Sequence, residues 1–255
     1  METLIEGVIG LGAEPGRIVM MLIGAILMYL GIKKEYEPTL LVPMGLGTIL
    51  VNIPNTGVLM TGGEAGPFQV LFEAGIETEL FPLLLFIGIG AMIDFGPLLS
   101  NPFLLLFGAA AQFGIFFVII VAVLAGFDIA DAASIGIIAA ADGPTSIFVA
   151  NSLGSKYMGA IMVAAYSYMA LVPIIQPIAI KAVTTKKERR IRMKYKPGEV
   201  SQTAKILFPI IICVVAGLIA PVSLPLVGFL MFGNLLRECG VLNSLSASAQ
   251  NELVN

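Results

Sequence analysis

One aspartate lies in the middle of a long apolar stretch of the sequence and is the residue best suited to bind a cation. Asp142 stands within residues 132–151, which contain no other charged residue. A charged carboxylate at the centre of a bilayer costs about 2.5 to 3.5 kcal/mol even on lenient insertion scales. Such a residue persists where it faces the protein interior and performs a function, so Asp142 is the first candidate for an ion site.

The residues after Asp142 would add further oxygen ligands. Pro144 has no amide hydrogen and clashes with the preceding turn, so a helix should break near Gly143. A broken helix leaves carbonyl groups unpaired at one end and amide groups unpaired at the next, where Thr145 and Ser146 stand. Because hard cations prefer oxygen, these residues and Asp142 predict a cation site at the break. A structural alternative stays open, in which the carboxylate pairs with a lysine or caps a half-helix.

A second polar group lies in the next apolar segment, residues 157–183. Tyr166 and Tyr168 stand near its middle, whereas tyrosine in membrane proteins is commonest at the interface. Being two positions apart, they point about 200° apart on a helix, so only one can face a given site. Pro173 and Pro177 predict another helix break just beyond them. For Tyr168, a functional role and simple packing are equally compatible with the pattern.

Three further polar residues are weaker candidates for the same site. Asp94 ends an apolar run and also suits the membrane interface. Asn52 precedes a proline by two positions and also suits a turn. Gln176 adds an amide oxygen beside the second proline of its segment.

The composition requires a lipid solvent for most of the chain. Of its 255 residues 58% are hydrophobic and 12% are charged, with a mean hydropathy of +0.97, whereas a soluble protein carries roughly 25% charged residues. We therefore predict an all-α integral membrane protein, a polytopic bundle with discontinuous helices and re-entrant hairpins. Residues 1–255 are read as a single polytopic domain.

Eight apolar runs are candidate membrane segments. They cover approximately residues 17–32, 39–51, 81–93, 102–127, 132–151, 157–183, 204–220 and 222–236. A Gly-rich acidic connection at 55–79 and a polar tail at 238–255 complete the chain. The run at 81–93 is short, since a spanning helix needs about 20 residues.

The basic residues restrict the topology. Nine of the fourteen lysines and arginines fall within residues 181–205, which places the loop at 186–196 in the cytoplasm by the positive-inside rule. The two lysines at 33–34 indicate the same side for the first loop. Five apolar segments lie between these loops, and five spans would put them on opposite sides. Either the signal at 33–34 is misleading or one segment does not span, and in the second case the short run at 81–93 is the predicted re-entrant arm.

Several kinds of chemistry are excluded. The chain has no histidine, hence no imidazole acid, base or metal ligand. It has no phosphate-binding loop of the ATPase type, and its basic cluster is a topology signal rather than a nucleic-acid site. Met193–Lys194 does not resemble a biotin attachment site, because its flanks are basic. A decarboxylase-coupled pump subunit, a stand-alone secondary transporter or antiporter, and a scaffold with a structural aspartate remain. The helix break disfavours the scaffold and does not separate the other two.

Long motifs in the sequence resemble the beta subunit of sodium-translocating biotin-dependent decarboxylases, whose members act on oxaloacetate, methylmalonyl-CoA or glutaconyl-CoA. The motifs include LFIGIGAMIDFGPLLSNP at 85–102, GIIAAADGPTSIF at 136–148 and GAIMVAAYSYMALVPIIQP at 159–177. GIKKEYEPTLLVPMGLGTILVNIP at 31–54 and KAVTTKKERRIRMKY at 181–195 belong to the same resemblance. It extends from about residue 17 over nearly the whole chain.

The resemblance implies a division of labour among subunits. A carboxyltransferase subunit moves a carboxyl group onto biotin carried by a partner domain, and the membrane subunit decarboxylates carboxybiotin and exports Na⁺. Asp142 would then bind Na⁺, and Tyr168 would join a Na⁺ site or deliver the proton that decarboxylation consumes. Biotin would not be attached to this chain. A biotin-carrier subunit, a carboxyltransferase subunit and a small membrane-anchor subunit would complete a hetero-oligomer.

The resemblance also implies a cellular setting and a larger fold. The chain would be a multi-pass protein of the inner or plasma membrane of a prokaryote, surrounded by lipid. Its fold would be part of an inverted-repeat transporter architecture. Family members carry further C-terminal apolar segments, with an Asn/Gly-rich motif and a serine that complete the cation sites, and these are expected to be missing from the present sequence.

Overall fold

The computed structural model describes residues 9–36, 38–192 and 200–254, and these residues are mainly helical. The helices are α1 (Pro15–Lys34), α2 (Pro38–Asn52), α3 (Pro67–Leu71), α4 (Leu80–Met92), α5 (Gly96–Ser100), α6 (Leu105–Leu124), α7 (Ile129–Gly136), α8 (Gly143–Ser152), α9 (Met158–Val183), α10 (Gln202–Ile219), α11 (Leu224–Glu238) and α12 (Asn243–Asn251). Short 3₁₀ segments cover Pro102–Leu104, Ile137–Ala140, Glu188–Arg190 and Pro221–Ser223, and a π-helical segment covers Phe72–Glu77. Strands β1 (Met60–Thr61) and β2 (Glu64–Ala65) form an antiparallel ribbon with Met60 opposite Ala65.

In the part of the chain that the structure describes, three helical segments are long and apolar enough to cross a membrane. They are α1, the segment Pro102–Leu124 that contains α6, and α10. Large apolar side chains on these helices lie on the surface: Phe113 is 74% exposed and Leu124 is 81% exposed. Water would not solvate so much contiguous apolar surface, whereas lipid does. The structure is therefore compatible with the predicted all-α membrane class, and each predicted apolar run contains an observed helix.

The described residues form two compact units, the first within Met1–Thr78 and Tyr166–Ala182. In this unit α1 and α2 pack closely where two glycines face each other. A Cβ atom on Gly45 would lie 2.5 Å from the carbonyl oxygen of Gly24, so no side chain fits between the backbones. Small residues permit such close approach between helices in membranes, where packing must supply the attraction.

The second unit, Glu79–Ala165 with Val183–Asn255, is built around α4. Helices α4 and α11 cross at two glycines, with almost no space between the backbones. A Cβ atom on Gly90 would lie 1.8 Å from the carbonyl oxygen of Leu230, and one on Gly233 would lie 1.9 Å from that of Ile87. The buried Asn234 donates its amide to the carbonyl of Ile93 at 2.9 Å and so satisfies an acceptor at the end of α4.

Charged residues surround the same end of α4. Arg237 donates to the carbonyl of Met92 at 2.6 Å. The ammonium of Lys205 lies 3.9 Å from the carboxylate of Asp94 and 3.8 Å from that of Glu238. The Glu238 side chain is only 10% exposed, so the cationic neighbours compensate a carboxylate that is largely withdrawn from solvent.

The segment at 132–151, predicted as a span with a break, folds back on itself. The Oδ1 atom of Asp131 accepts bonds from Ser155 Oγ at 2.7 Å and from the Lys156 amide at 3.1 Å. In one straight helix these 24 positions would separate the residues by about 36 Å. Helices α7 and α8 therefore form an antiparallel hairpin with Ala141 and Asp142 at its tip. The prediction of a crossing segment was wrong here, because apolar composition does not distinguish crossing from returning.

Two segments are more helical than the sequence predicts. Helix α9 continues through Pro173 and Pro177, where breaks were expected. A proline removes one amide donor, and helices in membranes tolerate this loss because local adjustments and neighbouring groups satisfy the freed carbonyl. The polar tail contains α12, which packs on α4: a Cβ atom on Gly88 would lie 2.7 Å from the carbonyl oxygen of Ala249.

Candidate functional site

The hairpin tip is made by two residues with contrasting backbone conformations. Ala141 adopts the left-handed region, with φ 55° and ψ 38°, directly after the 3₁₀ segment Ile137–Ala140. An L-residue pays about 1 to 2 kcal/mol for this conformation. Asp142 follows in an extended conformation, with φ −129° and ψ 100°, and is the N-cap of α8. Together these residues reverse the chain and bring the carboxylate to the tip.

Asp142, Thr145 and Ser146 lie together at this tip. Thr145 donates its hydroxyl to Asp142 Oδ2 at 2.5 Å, and its amide lies 3.5 Å from Oδ1. Ser146 donates its hydroxyl to the Asp142 carbonyl oxygen at 2.8 Å. All three residues predicted from the sequence are therefore brought together by the first turn of one helix.

Burial is uneven around these residues. Ser146 is fully buried and Gly143 and Pro144 before it are buried, whereas Asp142 and Thr145 are partly exposed. The carboxylate thus stands at a buried helix start and is itself partly exposed. Within residues 9–36, 38–192 and 200–254, no three His, Cys, Asp or Glu residues come close enough to hold a metal ion. At the hairpin tip the oxygen atoms are those of one carboxylate, two hydroxyl groups and the Asp142 carbonyl.

The observed contacts also agree with the structural alternative for Asp142. An aspartate that accepts a bond from the amide three residues later is a standard N-cap, worth roughly 0.5 to 2 kcal/mol of stability. The geometry therefore establishes the capping role of Asp142, and cation binding is an additional role that the same oxygens can support.

Hydrogen bonds fix the hairpin at two places, and the sequence analysis predicted neither of them. At its open end the buried carboxylate of Asp131 joins the two arms through Ser155 and Lys156. On α8, the amide of Asn151 donates to Glu79 Oε1 at 2.9 Å, at the start of α4. The sequence does contain a signal for the first of these contacts. An aspartate stands just before the apolar run and a Gly-Ser-Lys turn just after it, and these residues can form hydrogen bonds if the chain reverses direction within the run.

Three of the remaining predicted residues belong to the first unit. Tyr168 is half-buried and Gln176 is exposed, both on the part of α9 that belongs to the first unit. Asn52, also in the first unit, donates its amide to the carbonyl of Thr48 at 2.8 Å. Roles for these three residues in the cation site stay predictions.

Asp94 lies in the second unit, in a turn after α4. The carboxylate of Asp94 is half-exposed, accepts the amide of Gly96 at 2.8 Å and lies beside Lys205. Its contacts are those of a turn and an ion pair. Met193–Lys194 lies outside the described residues.

Comparison with known proteins identifies related chains. Residues 16–255 match the family described as the Na⁺-transporting oxaloacetate decarboxylase beta subunit. The chain is 50% identical over 240 residues to methylmalonyl-CoA decarboxylase subunit beta of Veillonella parvula, covering 94% of this chain and 62% of that protein. It is 48% identical over 240 residues to glutaconyl-CoA decarboxylase subunit beta of Acidaminococcus fermentans, covering 94% of this chain and 63% of that protein.

A third relative acts on another substrate. The oxaloacetate decarboxylase beta chain of Klebsiella pneumoniae is 40% identical over 313 residues, covering all of this chain and 72% of that protein. The chain thus spans between about three fifths and three quarters of the length of these relatives. The three relatives share the beta-subunit designation and differ in the acyl substrate that their names state.

Proposed function

The chain belongs to the family of Na⁺-transporting oxaloacetate decarboxylase beta subunits, and we propose that it acts as the membrane subunit of a pump that decarboxylates carboxybiotin and exports Na⁺. The observation that carries the proposal is Asp142, a carboxylate accompanied by two hydroxyl groups at the tip of a helical hairpin. The relatives are decarboxylase subunits by name, which favours this function over a stand-alone antiporter.

The proposed Na⁺ site consists of the Asp142 carboxylate and the hydroxyl oxygens of Thr145 and Ser146. A hydroxyl has one proton to donate and two lone pairs to offer. Both hydroxyl protons are directed to Asp142, one to its carboxylate and one to its carbonyl. The lone pairs of both oxygens are then available to a hard cation, which binds oxygen ligands.

The hairpin supports a topology that agrees with the charge distribution. If residues 129–152 enter the membrane and return on the same side, the five apolar segments between the two basic loops contain four spans. An even number of spans places residues 33–34 and 186–196 on one side, the cytoplasm, as the positive-inside rule requires. We therefore assign the re-entrant segment to this hairpin instead of the run at 81–93. The membrane would be the inner or plasma membrane of a prokaryote.

Tyr168 is proposed as a second participant, either as a ligand of Na⁺ or as part of the proton relay to carboxybiotin. Tyr168→Phe is expected to lower Na⁺-stimulated decarboxylation by roughly 10²- to 10⁴-fold, the usual contribution of a positioned acid or base. Decarboxylation assayed across Na⁺ concentrations checks this, with Tyr157→Phe, a partly exposed tyrosine, as the control. Unchanged activity and unchanged Na⁺ dependence in Tyr168→Phe would remove Tyr168 from the mechanism.

Carboxybiotin is proposed to arrive on a partner subunit. Purification of the tagged chain from its native membrane should recover a biotinylated protein that streptavidin detects on a blot, together with carboxyltransferase and membrane-anchor subunits. The recovered complex should decarboxylate carboxybiotin faster when Na⁺ is present. A chain that purifies alone and exchanges Na⁺ without biotin would instead be a stand-alone cation-coupled transporter.

A further inference from the structure

The open end of the hairpin contains a buried carboxylate that the proposed function does not use. Asp131 is 4% exposed, and its Oδ1 atom accepts two bonds from the far arm. Burying a carboxylate is costly unless hydrogen bonds compensate it, and here the hydroxyl and amide donors come from residues 24 and 25 positions later. The bonds therefore close the hairpin at its base.

The arms are short enough for the base to control the tip. Helix α8 has 10 residues, which corresponds to about 15 Å between base and tip. The reversal at Ala141 uses an unfavourable backbone conformation, so the turn alone does not ensure one geometry. The two hydrogen bonds of Asp131 at the base restrict the angle between the two helices of the hairpin and therefore the position of Asp142.

We propose that Asp131 is a positioning residue for the cation site, acting through its bonds to Ser155 and Lys156 to hold the hairpin in the conformation that binds Na⁺. The inference rests on the proposed function of Asp142. Asp131 does not itself contact the ion, because it lies at the opposite end of the hairpin. Its removal should therefore weaken Na⁺ binding more than it slows decarboxylation at saturating Na⁺.

Three substitutions in the whole complex distinguish a positioning role of Asp131 from an effect of its negative charge. Asp131→Ala removes the acceptor and should raise the Na⁺ concentration for half-maximal activity roughly tenfold, if the competent hairpin falls to about a tenth of the population. Asp131→Asn keeps an oxygen that accepts both bonds and should remain within about twofold of the wild type. Asp128→Ala is the matched control: Asp128 is an exposed N-cap of α7, and among the described residues its side chain makes no capping bond.

A distance measurement adds a readout that does not depend on activity. Spin labels on cysteines at Ile129 and Leu153, two exposed positions near the base, would report the separation of the arms after the native cysteines are replaced. We expect a narrow distance distribution in the wild type and in Asp128→Ala, and a broad one in Asp131→Ala. If Asp131→Ala is not recovered in folded form, Ser155→Ala removes one of the two bonds and should shift both readouts in the same direction.

The outcomes distinguish this inference from the proposed function. Equal Na⁺ dependence in Asp131→Ala and Asp128→Ala would overturn the positioning role, as would loss of activity that Asp131→Asn does not restore. An effect of Asp131→Ala on maximal rate alone would overturn it too. If Asp142→Asn leaves the Na⁺ dependence of activity intact, the proposed function fails instead. The distance between the two spin labels still decides whether Asp131 closes the hairpin.

Discussion

Asp142→Asn is expected to abolish the stimulation of carboxybiotin decarboxylation by Na⁺, with more than about a 100-fold loss at Na⁺ concentrations that saturate the wild type. Residues that merely orient metal ligands already contribute about 10- to 100-fold in affinity or activity, and a charged ligand should contribute more. The carboxylate is the one formal charge among the proposed ligands, and Asn cannot replace it. The rate of carboxybiotin decarboxylation measures the effect on catalysis, and ²²Na⁺ uptake into inverted vesicles measures the effect on transport.

The choice of asparagine separates the two roles of Asp142. Asn and Asp are equally good N-caps, so the capping bond from the Thr145 amide to the side-chain oxygen should survive the substitution. A purely structural Asp142 would therefore tolerate Asn with little change in activity, and that result would contradict the proposed function. Asp128→Asn, at the N-cap of the other arm, should behave as the wild type in both assays, since this side chain makes no capping bond in the described structure.

Gly233→Ala is expected to destabilise the second unit by more than about 3 kcal/mol, at or above the upper end of usual overpacking costs. The added Cβ would lie 1.9 Å from the carbonyl oxygen of Ile87, which belongs to the backbone of α4 and cannot rotate away. Helices α4 and α11 would have to separate. The Asn234 bond to Ile93 would then be lost or weakened as well. The midpoint of thermal aggregation in detergent, and the yield of assembled complex, measure this effect.

Gly228→Ala provides the matched control on the same helix. A Cβ at Gly228 would meet no described atom within 4 Å, so the same substitution should cause no overpacking there. Alanine favours a helix over glycine by about 1 kcal/mol, so an unchanged or slightly higher midpoint is expected. Equal losses at Gly233 and Gly228 would mean that the close crossing of α4 and α11 does not limit stability.

Local features of this protein could be predicted from the sequence by itself. Each apolar run located an observed helix, because hydrophobic composition decides which segments lipid can solvate. The Asp-Gly-Pro motif located the helix start at Gly143, because proline suits the first turn of a helix and aspartate suits its cap. Thr145 and Ser146 meet Asp142 because they lie three and four positions beyond it in one helical turn.

The tertiary structure alone decided how these helices are arranged. An apolar run with a break in its middle has the same composition whether it crosses the membrane or returns, so the composition of residues 129–152 did not reveal the hairpin. Its direction depends on the backbone of Ala141 and on bonds from Asp131 to residues 24 and 25 positions away. Likewise, nothing near Gly90 or Gly233 in the sequence indicates that each packs against the backbone of the other's helix, because these contacts join segments about 140 residues apart.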